Sequence, residues 1–90
     1  MTGVDRPSIR PGIRLQWEAV QNAYVLLYPE GMVKLNTSAA EILRRCNGMR
    51  SIDEIVEDLE SAFKRDGLQT EIENFLQLAR AQGWLSAAES

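Results

Sequence analysis

AYVLLYPEGMVKLN, residues 23–36, decides the fold. Ala23 to Tyr28 is apolar on both sides and rich in aromatic and branched residues, as a strand flanked by neighbours or covered on two faces requires. Tyr28-Pro29-Glu30-Gly31 then places proline where a turn needs φ of about −65° and glycine where a hairpin loop needs φ > 0, so the chain reverses tightly. From Met32 to Asn36 the pattern alternates, with Val33 and Leu35 facing one way and Met32, Lys34 and Asn36 the other. The stretch therefore reads as a central strand and an edge strand joined by a hairpin. Upstream, Ile13, Leu15 and Trp17 are set against Arg14, Gln16 and Glu18, a half-buried strand that completes a three-stranded antiparallel meander.

Downstream the period changes from two to 3.6. Ser38 with Glu41, Ser51 with Glu54 and Thr70 with Glu73 match the capping box, in which two orphan backbone donors are satisfied reciprocally. Behind these starts lie apolar stripes: Ala39, Ile42, Leu43 and Cys46; Ile52, Ile55, Val56, Leu59 and Phe63; Ile72, Phe75, Leu76 and Ala79. Gly48, Gly67 and Gly83 stand where the helices should stop. The expected fold is α+β, a winged helix-turn-helix-like β-β-β-α-α-α chain with a three-stranded antiparallel sheet followed by a three-helix bundle. Residues 1–12, which hold Pro7, Pro11 and Gly12, read as an extended N-terminal arm. Residues 13–85 read as a single peptide-binding domain, and 86–90 as a tail.

Ninety residues build one core and no more. The chain has no histidine and one cysteine, Cys46, so zinc sites, Cys/His nucleophile pairs and internal disulfides are not expected, nor is a cofactor. A lone cysteine and an N-terminus without an apolar run suit the cytoplasm. The longest apolar run, Ala23 to Tyr28, is far below the roughly 20 residues that cross a bilayer. A net charge of −3 argues against nucleic acid as a partner, because phosphate binding relies on clustered Lys and Arg.

Arg6-Pro7 and Pro11-Gly12 lead into Arg14-Leu15-Gln16-Trp17. Leu27-Tyr28-Pro29-Glu30-Gly31 and Leu35-Asn36-Thr37-Ser38-Ala39-Ala40-Glu41-Ile42-Leu43 follow, then Gly48-Met49-Arg50-Ser51-Ile52 and Gly83-Trp84-Leu85. In this series the chain resembles the PqqD family, the peptide chaperones of pyrroloquinoline quinone (PQQ) biosynthesis, from about Arg6 to Leu85. The resemblance implies a non-catalytic protein that binds the ribosomally made precursor peptide PqqA and presents it to the radical SAM enzyme PqqE. It also implies the mode used by such RiPP recognition elements, in which the leader peptide adds a strand to the third strand and lies against the helices.

On that reading the peptide meets Met32, Val33, Lys34, Leu35 and Asn36, whose edge presents unpaired N–H and C=O groups. Arg44, Arg45 and Arg50 gather after the first helix, where they can complement its dipole, pair with Glu41, or meet acidic groups of the peptide. Arg44 and Arg45 are assigned to the peptide, as are Phe75, Leu76, Ala79 and Arg80 of the third helix. The acidic second helix, through Asp53, Glu57 and Glu60, is either a solvated face or a dock for the enzyme. Trp17, Trp84, Phe63 and Phe75 read as core, and Cys46 as a small buried hydrophobe. The rival of a winged-helix DNA reader needs a basic recognition helix, and the third helix offers only Arg80 against Glu71 and Glu73. An adaptor for another modified peptide remains the alternative. The protein is expected to be a monomer or a homodimer swapped through its arm.

Overall fold

The computed structural model describes residues 5–86, in the order β1 (Arg14–Glu18), β2 (Ala23–Tyr28), β3 (Gly31–Lys34), α1 (Thr37–Arg44), α2 (Ile52–Phe63) and α3 (Gln69–Ala81). This is the β-β-β-α-α-α chain that the two periodicities require. The sheet has the order β1-β2-β3 and is antiparallel throughout, with Leu15 opposite Leu26 and Leu26 opposite Val33. Leu26 has no exposed surface and anchors one core with Leu35, Ile42, Leu43, Ile55, Leu59, Ile72, Leu76 and Leu85. Each such leucine or isoleucine contributes about 1.5–3 kcal/mol on burial. Tertiary packing of this kind is what holds an eight-residue helix such as α1, which is too short to persist alone.

Of the three expected capping boxes one forms. Ser51 caps α2, its Oγ accepting from Glu54 N–H while Glu54 Oε1 accepts from Ser51 N–H. At α1 the cap is Asn36, two residues before Ser38, with Oδ1 accepting from Ala39 N–H at 2.8 Å. Asparagine caps at least as well as serine, and the chain turns into the helix at the first suitable acceptor. Asn36 thereby leaves the edge strand, which ends at Lys34 instead of running to Asn36. At α3 Thr70 lies inside the helix, and the Leu68 N–H is met instead by Glu60 Oε2 from α2. Burial of Leu68 in the core draws that start upstream.

The helix ends differ in the same way. Lys64, not Gly67, takes the left-handed conformation that closes α2. Gly83 does stop α3: at φ 81° it lets Trp84 N–H reach Ala79 O and its own N–H reach Arg80 O, a Schellman closure that a side chain would strain.

Residues 5–10, assigned to a separate arm, run extended but are stitched into the body. Ile9 N–H donates to Cys46 O, Arg10 N–H to Trp84 O, Gly48 N–H to Pro7 O and Ser86 N–H to Ser8 O. Asp5 receives both terminal nitrogens of Arg80 at 2.9 and 2.7 Å. The sequence period stops at Gly12, but the packing does not. Residues 1–4 of the arm and 87–90 of the tail lie outside the described residues.

Candidate functional site

The sheet has two open edges, and strand parity states which backbone groups each presents. Leu35 N–H donates to Tyr24 O at 2.9 Å, so Tyr24 and Leu35 face each other across the hydrogen-bonded ladder. Bonding direction alternates along an antiparallel strand. Val33 therefore points its N–H and C=O at Leu26, while Met32 and Lys34 point theirs outward. On the opposite side of β2, Ala23, Val25 and Leu27 turn toward β1 and meet Glu18, Gln16 and Arg14. That leaves Leu15 and Trp17 as the outward residues of the other edge.

Side chains differentiate the two. On β3, Met32 is 51% exposed and Lys34 is exposed, both on the sheet face away from the helices, while Val33 packs against the core. On β1, Trp17 is half exposed, contrary to its expected burial. It stands edge-on to Tyr24, with ring centroids 5.2 Å apart, and Arg44 lies over the Tyr24 ring. An edge strand leaves its last core-facing residue with a neighbour on one side only, which is why the alternation overstated its burial.

α1 carries a groove on each flank. One, turned toward β1, is lined by Trp17, Tyr24, Leu35, Thr37, Ala40 and Glu41. The other lies between α1, the end of α2 and the start of α3, with Ile42, Leu59, Leu68 and Ile72 as its apolar floor and Phe63, Arg65 and Glu71 around it. Phe63 is 40% exposed there, so it too is not the core residue that its stripe suggested. The stripe predicts which side of a helix is buried but not where the neighbouring helix stops covering it.

The arginines are divided between roles. Arg45 is held by Glu41 and Asp58, and its Nη1 also donates to the Glu41 carbonyl, tying α1 to α2. Arg44 pairs with Glu41 at 3.0 Å but stays half exposed. With Arg50 and Asp58 these two line one hollow, a cationic patch. The hydrogen bond from Arg45, aided by Arg44, holds the Glu41 carboxyl below its ordinary value, and Arg45 does the same to Asp58.

On α3 the assigned residues do not form a peptide-facing row. Leu76 and Ala79 are enclosed in the core, at 2% and 0% exposure, and can only support the surface from beneath. Phe75 packs against the core with part of its ring exposed. Arg80 is engaged by Asp5 and by the Ser86 carbonyl, so its charge is already met. Asn36 uses its side chain as the α1 cap, and Leu35 is buried. Asp53, Glu57 and Glu60 do converge on one shallow hollow with Val56 and Gln69, although Glu60 also caps α3. Burial pushes the Cys46 thiol up to about 12, and it donates to Ile42 O, so it is a poor nucleophile. Among the described residues no cluster of acids and thiols could hold a metal ion, and no helix is long and apolar enough to cross a membrane.

The family model described as coenzyme PQQ synthesis protein D (PqqD) matches residues 23–85. A PqqA binding protein of Azotobacter vinelandii is 51% identical over 82 residues, covering 90% of this chain and 89% of that one. A second, of Stutzerimonas stutzeri, is 48% identical over 88% and 87% of the two chains. The solution structure of the PqqD truncation of Methylobacterium extorquens PqqCD, described as a functional, stand-alone RiPP recognition element, superposes with a TM-score of 0.69. It is 28% identical over 90% of this chain and 88% of that one.

Proposed function

The chain belongs to the PqqD family of coenzyme PQQ synthesis proteins, and from that premise we propose that it is a cytoplasmic peptide chaperone that binds the precursor peptide PqqA and hands it, unmodified, to the radical SAM enzyme PqqE. One observation carries the mode of binding: β3 is an open edge whose outward groups belong to Met32 and Lys34, in a chain half identical to a PqqA binding protein. An added strand pairs its own backbone with those two residues, which supplies grip without demanding particular side chains. Specificity then comes from pockets beside the strand. The groove of Ile42, Leu59, Phe63, Leu68 and Ile72 lies on the flank of α1 away from β1, and its apolar floor suits a branched or aromatic side chain of the peptide. Arg44, half exposed, and Arg50 offer charge to an acidic one.

The chemistry of the surface supports holding rather than turnover. The carboxyls whose acidity is shifted, Glu41, Glu54 and Asp58, are all engaged by arginines or by a helix cap. Such a protein leaves peptide mass unchanged, and mass spectrometry after incubation with the protein alone checks this. Titration with synthetic PqqA, followed by NMR, should protect the Met32 and Lys34 amides and shift Phe63 and Ile42. Protection that avoids β3 altogether removes strand addition. The acidic hollow is the dock proposed for the enzyme: Asp53→Lys with Glu57→Lys should slow association with PqqE and spare peptide binding, since rim charges act chiefly on association rate. Glu60 is left in place because it holds the start of α3.

A further inference from the structure

The second edge, β1, has no place in peptide capture as described above, yet its five residues are complementary to themselves. We propose that β1 pairs, edge to edge and antiparallel, with β1 of a second copy of this chain about a two-fold axis at Gln16.

Three observations meet in that register. Backbone parity makes Leu15 and Trp17 the outward residues, and a two-fold axis through Gln16 sets Leu15 opposite the partner's Trp17, so every outward N–H and C=O of both residues finds a mate. The same axis sets Arg14 opposite the partner's Glu18, twice by symmetry. Among the described residues neither Arg14 nor Glu18 makes an ion pair within its own protomer, and the Glu18 carboxylate accepts from Gln16 alone. Opposite charges directly across an antiparallel pair attract, whereas any register shifted by two residues loses one or both pairs. Finally, Trp17 is 50% exposed, and in this arrangement it is covered by the partner's Leu15.

The edge at β3 does not share this property. Two-fold pairing there would set Met32 against the partner's Lys34, with no charge matched. The two edges therefore select different partners. A contact five residues long falls well short of the ~1,200 Å² of a stable interface, so the dimer forms at high protein concentration and is salt-sensitive.

The test is sedimentation equilibrium at low ionic strength on the full chain, with Arg14→Glu, Glu18→Arg and the double exchange, together with amide exchange at Leu15 and Trp17. Each single reversal should weaken association by roughly fivefold or more, and the double exchange should restore it. Protection at Leu15 and Trp17 should rise with protein concentration while Met32 and Lys34 stay unprotected. Lys34→Pro should leave self-association unchanged, which separates this proposal from the one for β3. A chain that sediments as a monomer at millimolar concentration overturns the proposal. So do single reversals without effect, a double exchange that fails to rescue, or protection of β1 that follows added PqqA instead of protein concentration.

Discussion

β1 and β3 are the two edges of one sheet, built with the same alternation, yet they present different chemistry. β1 ends in opposite charges and carries a half-exposed tryptophan among its outward backbone groups. β3 is shorter, has one charge, and turns outward at Met32 and Lys34, on the strand that leads directly into α1. The difference shows that an open edge is only a template: the residues at its ends and the groove beside it decide what is templated.

The sharpest way to break this comparison is to reverse parity on β3. Val33→Pro removes an inward ladder bond and disturbs a side chain packed on the core, and should lower stability by ~2–4 kcal/mol in urea unfolding. Lys34→Pro, one residue on, removes only an outward donor and should leave the unfolding midpoint nearly unchanged. A Lys34→Pro protein as unstable as Val33→Pro means that the assigned parity is inverted.

A smaller effect probes the junction where β3 gives way to α1. Asn36→Ala should cost about 0.5–2 kcal/mol through the lost cap, whereas Ser38→Ala should change stability by less than ~0.5 kcal/mol. Equal losses in thermal melts would return the helix start to Ser38.

Binding is where the two edges should separate most cleanly. Lys34→Pro removes one hydrogen bond to the peptide, about 0.5–1.5 kcal/mol, and adds a steric clash, so calorimetric affinity for PqqA should fall several-fold to beyond tenfold. Glu18→Arg should leave that affinity unchanged. If both variants bind as the parent does, the peptide uses neither edge and lies on the helices.

The smallest effect concerns the helix between the two grooves. Arg45 and Arg44 hold the Glu41 carboxyl below 4.5, and Arg45 holds Asp58 below 3.8. Folded values below the unfolded ones mean that this stabilisation is complete above the unfolded values and is lost as pH falls through the folded ones. Melting temperature should therefore hold from neutrality down to roughly pH 5 and decline below it. Arg45→Met should start lower and decline less steeply. Both carboxylates are solvent-accessible enough that screening keeps the effect modest.

Strand and helix identity, the hairpin at Pro29-Glu30, the Ser51 cap and most of the core were legible in the sequence, because each rests on a period or on turn chemistry local to a few residues. The resemblance to PqqD rested on local series as well, and the family model matches residues 23–85. Tertiary structure decided what depends on distant neighbours. Asn36 rather than Ser38 caps α1 because the strand turns off the sheet there, and Glu60 rather than Thr70 serves α3 because Leu68 is drawn into the core. Leu76 and Ala79 lie beneath the surface, Trp17 and Phe63 reach it, and Arg80 is neutralised by Asp5, 75 positions away in sequence. The outward direction of Met32 and Lys34 likewise required the ladder bond between Leu35 and Tyr24. Periodicity states which residues share a face, whereas exposure of that face, and the aim of an edge, are set by what packs or pairs on its other side.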